Sequence, residues 1–333
     1  MTILWLMKGK IGYVKMRPPL VRPSKLSDSK DGNGKALSSG WAANFAIGCT
    51  HGCPFCYVNS IVRRVYSKRY RFLTEYKWGD YLLLPRNIED LISLTPWNRL
   101  KGEEVLMSSM HDPYLPQLVE ITNRILDRGL REGVRFCIQT RSTLVLRSFK
   151  LLEKYNSQVR LQISIATLEE NLFRLIEPRV PSPMKRLKIL EKAKNKGIKT
   201  GVIIAPILPP VPQREDLEND LRSIFENLAN IGVDQVFGEM LHPRGTNLKL
   251  LEEVIGEKIS ISDLIKLDKK IGKLFETLLK KFNLTGRWWY EHWNDRNRAF
   301  NKPKRGTKRH VVFSQKMRPR LFRPTHLIYS SLR

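Results

Sequence analysis

From Trp41 onward, short apolar runs alternate with longer amphipathic stretches. The runs Asn44–Ile47, Glu104–Met107, Val134–Gln139, Arg160–Ile165, Lys199–Ile204 and Asp234–Phe237 predict strands, being short and rich in β-branched and aromatic residues. Between them, Tyr57–Tyr66, Leu115–Arg128, Thr143–Lys154, Leu168–Ile176, Met184–Lys196 and Arg214–Asn230 carry apolar residues at helical spacing. Strands alternating with helices imply βαβ units and a parallel sheet. The repeats predict an α/β fold, a partial (β/α)6 TIM-like barrel, although pattern alone does not separate it from an open three-layer sheet. In either case function belongs at the carboxyl ends of the strands.

The rhythm stops after Phe237. Asn247–Val254 and Asp263–Phe282 predict helices, the second with Leu264, Leu267, Ile271, Leu274, Leu278 and Phe282 along one side. Residues 1–40 are basic and broken by Pro18, Pro19, Pro23 and a polar run, so they read as an arm or linker. The expected organisation is therefore an N-terminal arm over 1–40, a barrel over 41–245, and a helical extension with a basic, aromatic tail over 246–333. Trp289 and Trp293 stand four apart, which predicts a helix packing both rings onto the barrel.

Charge adds a partner class. Lys and Arg total 59 against 32 Asp and Glu, a net charge of +27. An excess that acidic side chains cannot balance points to a polyanion, with nucleic acid ahead of an anionic membrane surface. Arg63, Arg64, Lys68 and Arg69, interleaved with Tyr66 and Tyr70, form one candidate phosphate-binding group; Lys304, Arg305, Lys308 and Arg309 in the tail form another. No apolar run reaches the roughly 18 residues of a spanning helix, so the expectation is a cytoplasmic protein without a membrane partner.

Three of the four cysteines crowd into one loop directly after the first predicted strand: Gly48-Cys49-Thr50-His51-Gly52-Cys53-Pro54-Phe55-Cys56-Tyr57. That spacing lets three thiolates bind three irons of a cubane cluster, leaving the fourth iron open to a ligand. Gly48, Gly52 and Pro54 supply the turns. Two other readings stand beside this one: a Cys3His zinc site completed by His51, and a purely structural cluster. Cys137, on the third predicted strand, reads as a buried packing residue. His242 and His292 have no metal-ligand pattern, and Glu177 with Arg179 reads as a structural pair beneath the site.

The loop resembles the CxxxCxΦC signature of the radical SAM superfamily, and its longer form resembles the spore photoproduct lyase-like group. His111-Asp-Pro-Tyr-Leu-Pro116, Gln139-Thr-Arg-Ser142, Ile163–Thr167, Glu177-Pro-Arg179 and Lys199–Pro209 resemble further motifs of that group, and the likeness spans about Asn44 to Gly245. It implies a [4Fe–4S] cluster on Cys49, Cys53 and Cys56, and S-adenosylmethionine (SAM) held by Asp112, Arg141 and Ser164, with Phe55 and Tyr57 flanking cluster and adenine. It also implies an electron donor such as ferredoxin or flavodoxin, and a 5′-deoxyadenosyl radical that takes a hydrogen atom from substrate. Two departures matter. Ser108-Ser109-Met110 stands where the superfamily carries Gly-Gly-Glu, and Met110 and His111 occupy the neighbourhood where spore photoproduct lyases proper keep a hydrogen-donating cysteine. The expected activity is radical chemistry on a nucleic acid, in repair or base modification. The alternatives are a peptide or small-molecule substrate, and a non-catalytic nucleic-acid-binding protein with a structural metal site.

Overall fold

The computed structural model describes residues 10–24 and 38–289. Strands β1 (Lys10–Val14) and β2 (Val21–Pro23) precede β3 (Trp41–Ala43) and β4 (Tyr81–Pro85). They are followed by β5 (Glu104–Met107), β6 (Arg135–Thr140), β7 (Val159–Ser164), β8 (Lys199–Ile207), β9 (Gln235–Met240) and β10 (Gly286–Trp288). One sheet runs β10-β9-β8-β7-β6-β5-β3-β2. Every pairing from β3 to β10 is parallel, and β2 adds antiparallel to β3. The predicted α/β partial barrel is present, and its parallel strands send all their carboxyl ends to one mouth.

The helices between strands are α1 (Val58–Tyr66), α2 (Ile88–Ser93), α3 (Val119–Arg131), α4 (Phe149–Lys154), α5 (Glu170–Ile176), α6 (Pro183–Lys194), α7 (Leu217–Ile231), α8 (Asn247–Ile255) and α9 (Ile261–Lys281). Local chemistry sets several of their starts. Ser182 precedes a proline at the first turn of α6, and its hydroxyl accepts from the Lys185 amide. Asp216 accepts from the Asn219 amide at the start of α7, which therefore begins three residues after the predicted Arg214. The stretch predicted as one helix from Thr143 opens as a 3-10 turn and becomes α-helical at Phe149.

Several expectations change. The first barrel strand ends at Ala43 rather than spanning Asn44–Ile47. The Asn44 side chain leaves to accept from the Ser108 hydroxyl (2.8 Å) and the Ser109 amide (2.9 Å), and Ile47 pairs instead with Leu83. Within the segment read as an arm, β1 pairs with β4 and β2 extends the barrel sheet. The strand β4, Tyr-Leu-Leu-Leu-Pro, is buried along its whole length.

The C-terminal aromatics also differ. Trp288 lies in β10 and Trp289 directly after it, not on a helix; Trp293 is outside the described residues. Extended backbone sends neighbouring rings to opposite sides. The Trp288 indole donates to Asp268 at 2.9 Å beneath α9, while Trp289 stacks on Phe237 at 5.1 Å. The buried face of α9 turns accordingly to include Asp268 and Phe275, leaving Leu267 and Leu274 half-buried.

Inside the barrel, Cys137 packs with Ala42 and Leu106, as a small buried hydrophobe. At the amino ends of the strands Arg160 bonds Glu104 (2.8 Å) and Gln235 (3.2 Å). No helix among the described residues is long and apolar enough to cross a membrane. Gly238 of β9 sits against the Phe275 ring of α9, where an added Cβ would collide with the ring edge. Gly238→Ala should therefore destabilise the fold by about 1–3 kcal/mol, the cost of overpacking a filled core, measured by denaturant unfolding.

Candidate active site

The cysteine loop fills the gap between β3 and α1, where beyond the Ile47–Leu83 bridge no sheet pairing holds its backbone. Two devices hold it. Gly52 and Gly79 both have positive φ and lie back to back; a Cβ on Gly79 would stand 2.6 Å from the Gly52 Cα. Across that contact reaches Arg179, whose guanidinium donates to the Gly79 carbonyl and, at 3.5 Å, to the Thr50 carbonyl, while pairing with Asp80 at 2.7 Å. Arg179 thus clamps the loop to the turn before β4. The sequence pairs it with Glu177, but in the structure the two take different partners, Glu177 bonding Arg141 and Arg186.

The far side of the loop is tied to the end of the sheet. The buried Asn247 amide donates to the Phe55 carbonyl at 2.9 Å, and the Ser60 hydroxyl donates to the Arg244 carbonyl at 3.1 Å. The Arg244 guanidinium lies over the Tyr57 ring, 5.1 Å from its centroid. Burial pushes the Tyr57 phenol up to about 12, so it remains neutral.

Cys49, Cys53 and Cys56 are free thiols, Cys53 buried and the others half-buried. Burial raises all three, Cys49 to about 12, and the thiols lie close enough to act on one another. Among the described residues, no three His, Cys, Asp or Glu side chains converge as ligands of one metal ion. A Cys3His zinc centre needs such convergence, whereas a cubane takes each thiolate on a separate iron. His51 is also turned elsewhere, with Nδ1 3.6 Å from the Asp112 carboxylate. His51 thus has a partner other than a metal, and three thiols are the donor set of a cubane with one iron left open.

At the next strand end, Asp112 is heavily committed within the chain. Its carboxylate accepts from the Thr140 hydroxyl (2.6 Å), the Tyr114 amide (2.8 Å) and the Arg141 amide (2.7 Å), and it faces His51. A carboxylate has about four lone-pair sites, so three are already used. The geometry makes Asp112 an organiser of the strand ends first, with little capacity left for a ligand. Next to it, burial lowers His111 to about 4, so the ring is neutral, edge-on to Phe45 and within 3.2 Å of the Ser108 hydroxyl.

Arg141 leaves the end of β6 with its guanidinium 5.4 Å from the Phe55 ring centroid. Nε donates to Glu177 at 2.7 Å and Nη2 to the Ala205 carbonyl at 2.9 Å, leaving further N–H groups for an anion. Ser164 ends β7 with its hydroxyl buried and without a hydrogen-bond partner among the described residues. A buried hydroxyl at a barrel mouth without such a partner suits a polar ligand there.

A radical SAM superfamily model matches residues 43–224, from the end of β3 into α7. The chain belongs to the radical SAM superfamily. It is 53% identical over 285 residues to a protein of Acidianus two-tailed virus, ORF301, covering 85% of this chain and 94% of that one. A Methanocaldococcus jannaschii protein, MJ0683, is 31% identical over 61% of this chain and 70% of its own length. Among solved structures, a spore photoproduct lyase variant superposes with a TM-score of 0.62 at 15% identity, covering 84% of this chain and 82% of that one, a likeness of fold.

As a radical SAM enzyme the chain uses an iron–sulfur cluster and SAM, and the residues present fit both. Of the residues singled out by sequence, the structure brings Cys49, Cys53, Cys56, Phe55, Tyr57, Asp112, Arg141 and Ser164 to the barrel mouth. Arg64, Lys68 and Arg69 are exposed on and just after α1, while Arg63 is half-buried and anchors Asn59 (3.0 Å) and the Tyr76 carbonyl (3.2 Å). Lys304, Arg305, Lys308 and Arg309 lie outside the described residues. Sequence reasoning misses Arg186, Arg244 and Asn247 as parts of the site and gives Arg179 the wrong partner, since each acts across 100 residues or more or through another side chain. Gly79→Ala should push the Gly52 backbone and lower the iron bound per chain after anaerobic reconstitution. Iron analysis and the visible charge-transfer band measure this, with unchanged far-UV circular dichroism showing that the fold persists.

Proposed function

We propose that this enzyme cleaves SAM at a [4Fe–4S] cluster on Cys49, Cys53 and Cys56 and directs the chemistry at a nucleic acid. When bound and reduced, by a donor such as ferredoxin or flavodoxin, the cluster supplies the electron that generates a 5′-deoxyadenosyl radical from SAM. The chain's own residues do the rest. Arg141 offers its remaining N–H groups to the SAM carboxylate, the Ser164 hydroxyl donates at the barrel mouth, and Phe55 and Tyr57 wall the site from water.

One observation carries the choice of substrate class. Helix α1 starts two residues after Cys56 and displays Arg64, followed by exposed Lys68 and Arg69, with Tyr66 and Tyr70 stacked at 6.5 Å beside them. Phosphates held on that helix would bring a base to the mouth. Two lines support the reading: the net charge of +27, and solved spore photoproduct lyases of the same fold that bind a dinucleoside photoproduct, one of them with SAM. The reaction is repair or base modification by a route other than hydrogen return from a cysteine at residues 110–111. Met110 and a neutral, buried His111 stand there, and Cys137 is packed deep in the barrel.

Anaerobic reconstitution with iron and sulfide should give brown protein that releases 5′-deoxyadenosine with dithionite and SAM; colourless protein with stoichiometric zinc would refute this. Cys53→Ala should lose the cluster and retain most binding to tRNA or single-stranded DNA. Replacing Arg64, Lys68 and Arg69 together by Ala should weaken that binding at every sequence tested and flatten its salt dependence, by up to about one unit of slope for each phosphate no longer neutralised. Binding that ignores salt in the unaltered protein would remove nucleic acid as the partner.

A further inference from the structure

The strongest feature outside the roles described above is a buried carboxylate shared by two guanidinium groups. Glu177 is fully buried. Its Oε1 accepts from Arg141 Nε (2.7 Å) and Arg186 Nη1 (3.4 Å), and its Oε2 accepts from Arg186 Nη2. Arg186, on α6, is also fully buried and donates to the Ser164 carbonyl. Asp112 lies close by but bonds the Arg141 amide, not either guanidinium. Glu177 is thus the one carboxylate among the described residues that bonds both arginines, and two positive charges share it.

The two arginines are unequal. Arg186 is sealed beneath the strand ends, whereas the Arg141 side chain keeps 21% of its surface exposed and lies against Phe55, between Cys53 and Cys56 in sequence. Phe55 stands on the loop between the two thiols, so the guanidinium packed on its ring, 5.4 Å from the centroid, lies beside the cysteine loop. A cubane on three thiolates is anionic, and one-electron reduction adds a further negative charge. A fixed cation beside it favours the reduced form.

We infer that Glu177 is a positioning residue for cluster reduction: with Arg186 behind it, it fixes the Arg141 guanidinium beside the cysteine loop, where that charge raises the cluster's reduction potential. The inference rests on the proposed cluster at Cys49, Cys53 and Cys56, and is independent of which substrate is bound. Removing the carboxylate charge has two opposed effects. As a plain negative charge, Glu177 disfavours reduction, so its loss would raise the potential. As the anchor of Arg141, its loss frees the guanidinium toward water and lowers the potential. The sign separates the two.

The test is the midpoint potential of the reconstituted cluster, from anaerobic titration followed by visible absorbance and by the electron paramagnetic resonance signal of the reduced state. It is measured without SAM or nucleic acid. Arg141→Gln should shift the potential to more negative values, and Arg141→Lys, which keeps the charge, should stay near the unaltered protein. Glu177→Gln should shift it the same way as Arg141→Gln, and the double variant should fall no further than Arg141→Gln alone. A rise with Glu177→Gln, or no change in any variant, overturns the inference. If Glu177→Gln holds no cluster, the two Arg141 variants decide: equal potentials in both overturn it, and a fall confined to Arg141→Gln supports it. Failure of the unaltered protein to assemble a cluster would instead refute the proposed function.

Discussion

A fully buried carboxylate gripped by two guanidinium groups holds the catalytic end of this barrel together. An unpaired charge at Glu177 would be costly, and removing one partner of such a buried group typically costs about 3–5 kcal/mol. The fold therefore has to deliver Arg141 from the end of β6 and Arg186 from α6 to the same point. That requirement fixes where the loop after α5 turns, and the Arg186 bond to the Ser164 carbonyl ties in the end of β7. Through the Ala205 carbonyl, Arg141 fastens β8 as well. A barrel of parallel strands has no tight hairpins at its mouth, and here side-chain charges join neighbouring strand ends in their place.

The cysteine loop depends on the same kind of bonding. Cys49 and Cys56 pack against an apolar cluster that includes Ile47, Tyr81 and Leu83, and the loop backbone is held by polar contacts as well. On one side are Arg179 and the close approach of Gly52 to Gly79, on the other Asn247 and Ser60. These polar clamps act on backbone carbonyl groups and leave the cysteine side chains as free thiols. The β1–β4 pair and the Ile47–Leu83 bridge give the loop a rigid backing that the barrel alone does not supply. Asp112 gathers Thr140, Tyr114 and the Arg141 amide into one hub, so the residues expected to touch SAM are also the ones that organise each other.

Much of this is legible in the chain. Five of the six predicted barrel strands, most of the helices between them and the cysteine loop follow from local signals, because periodicity, caps and spacing act over fewer than about 20 residues. The first strand lies at Trp41–Ala43 and not at Asn44–Ile47. The resemblance in motifs then places Asp112, Arg141 and Ser164 at successive strand ends. The less legible parts are short or shared. β1, β2 and β10 are three to five residues long and gain their identity from the neighbour they pair with. Trp289 fits a helical spacing with Trp293, but Trp288 and Trp289 take alternate sides of extended backbone, where each ring finds its own partner.

The sequence by itself determined the superfamily, because the spacing of three cysteines and two glycines on one loop is a local signal that can be read without any distant contact. Only the tertiary structure decided how that loop is held and what charge it feels. Arg179 lies closest in sequence to Glu177 but closest in space to Gly79 and Asp80, while Arg186, nine residues from Glu177, becomes its partner. Charge pairing is set by distance through a low-dielectric interior, not by separation along the chain. For that reason the buried charges around Arg141 could be read only once the strand ends were brought together.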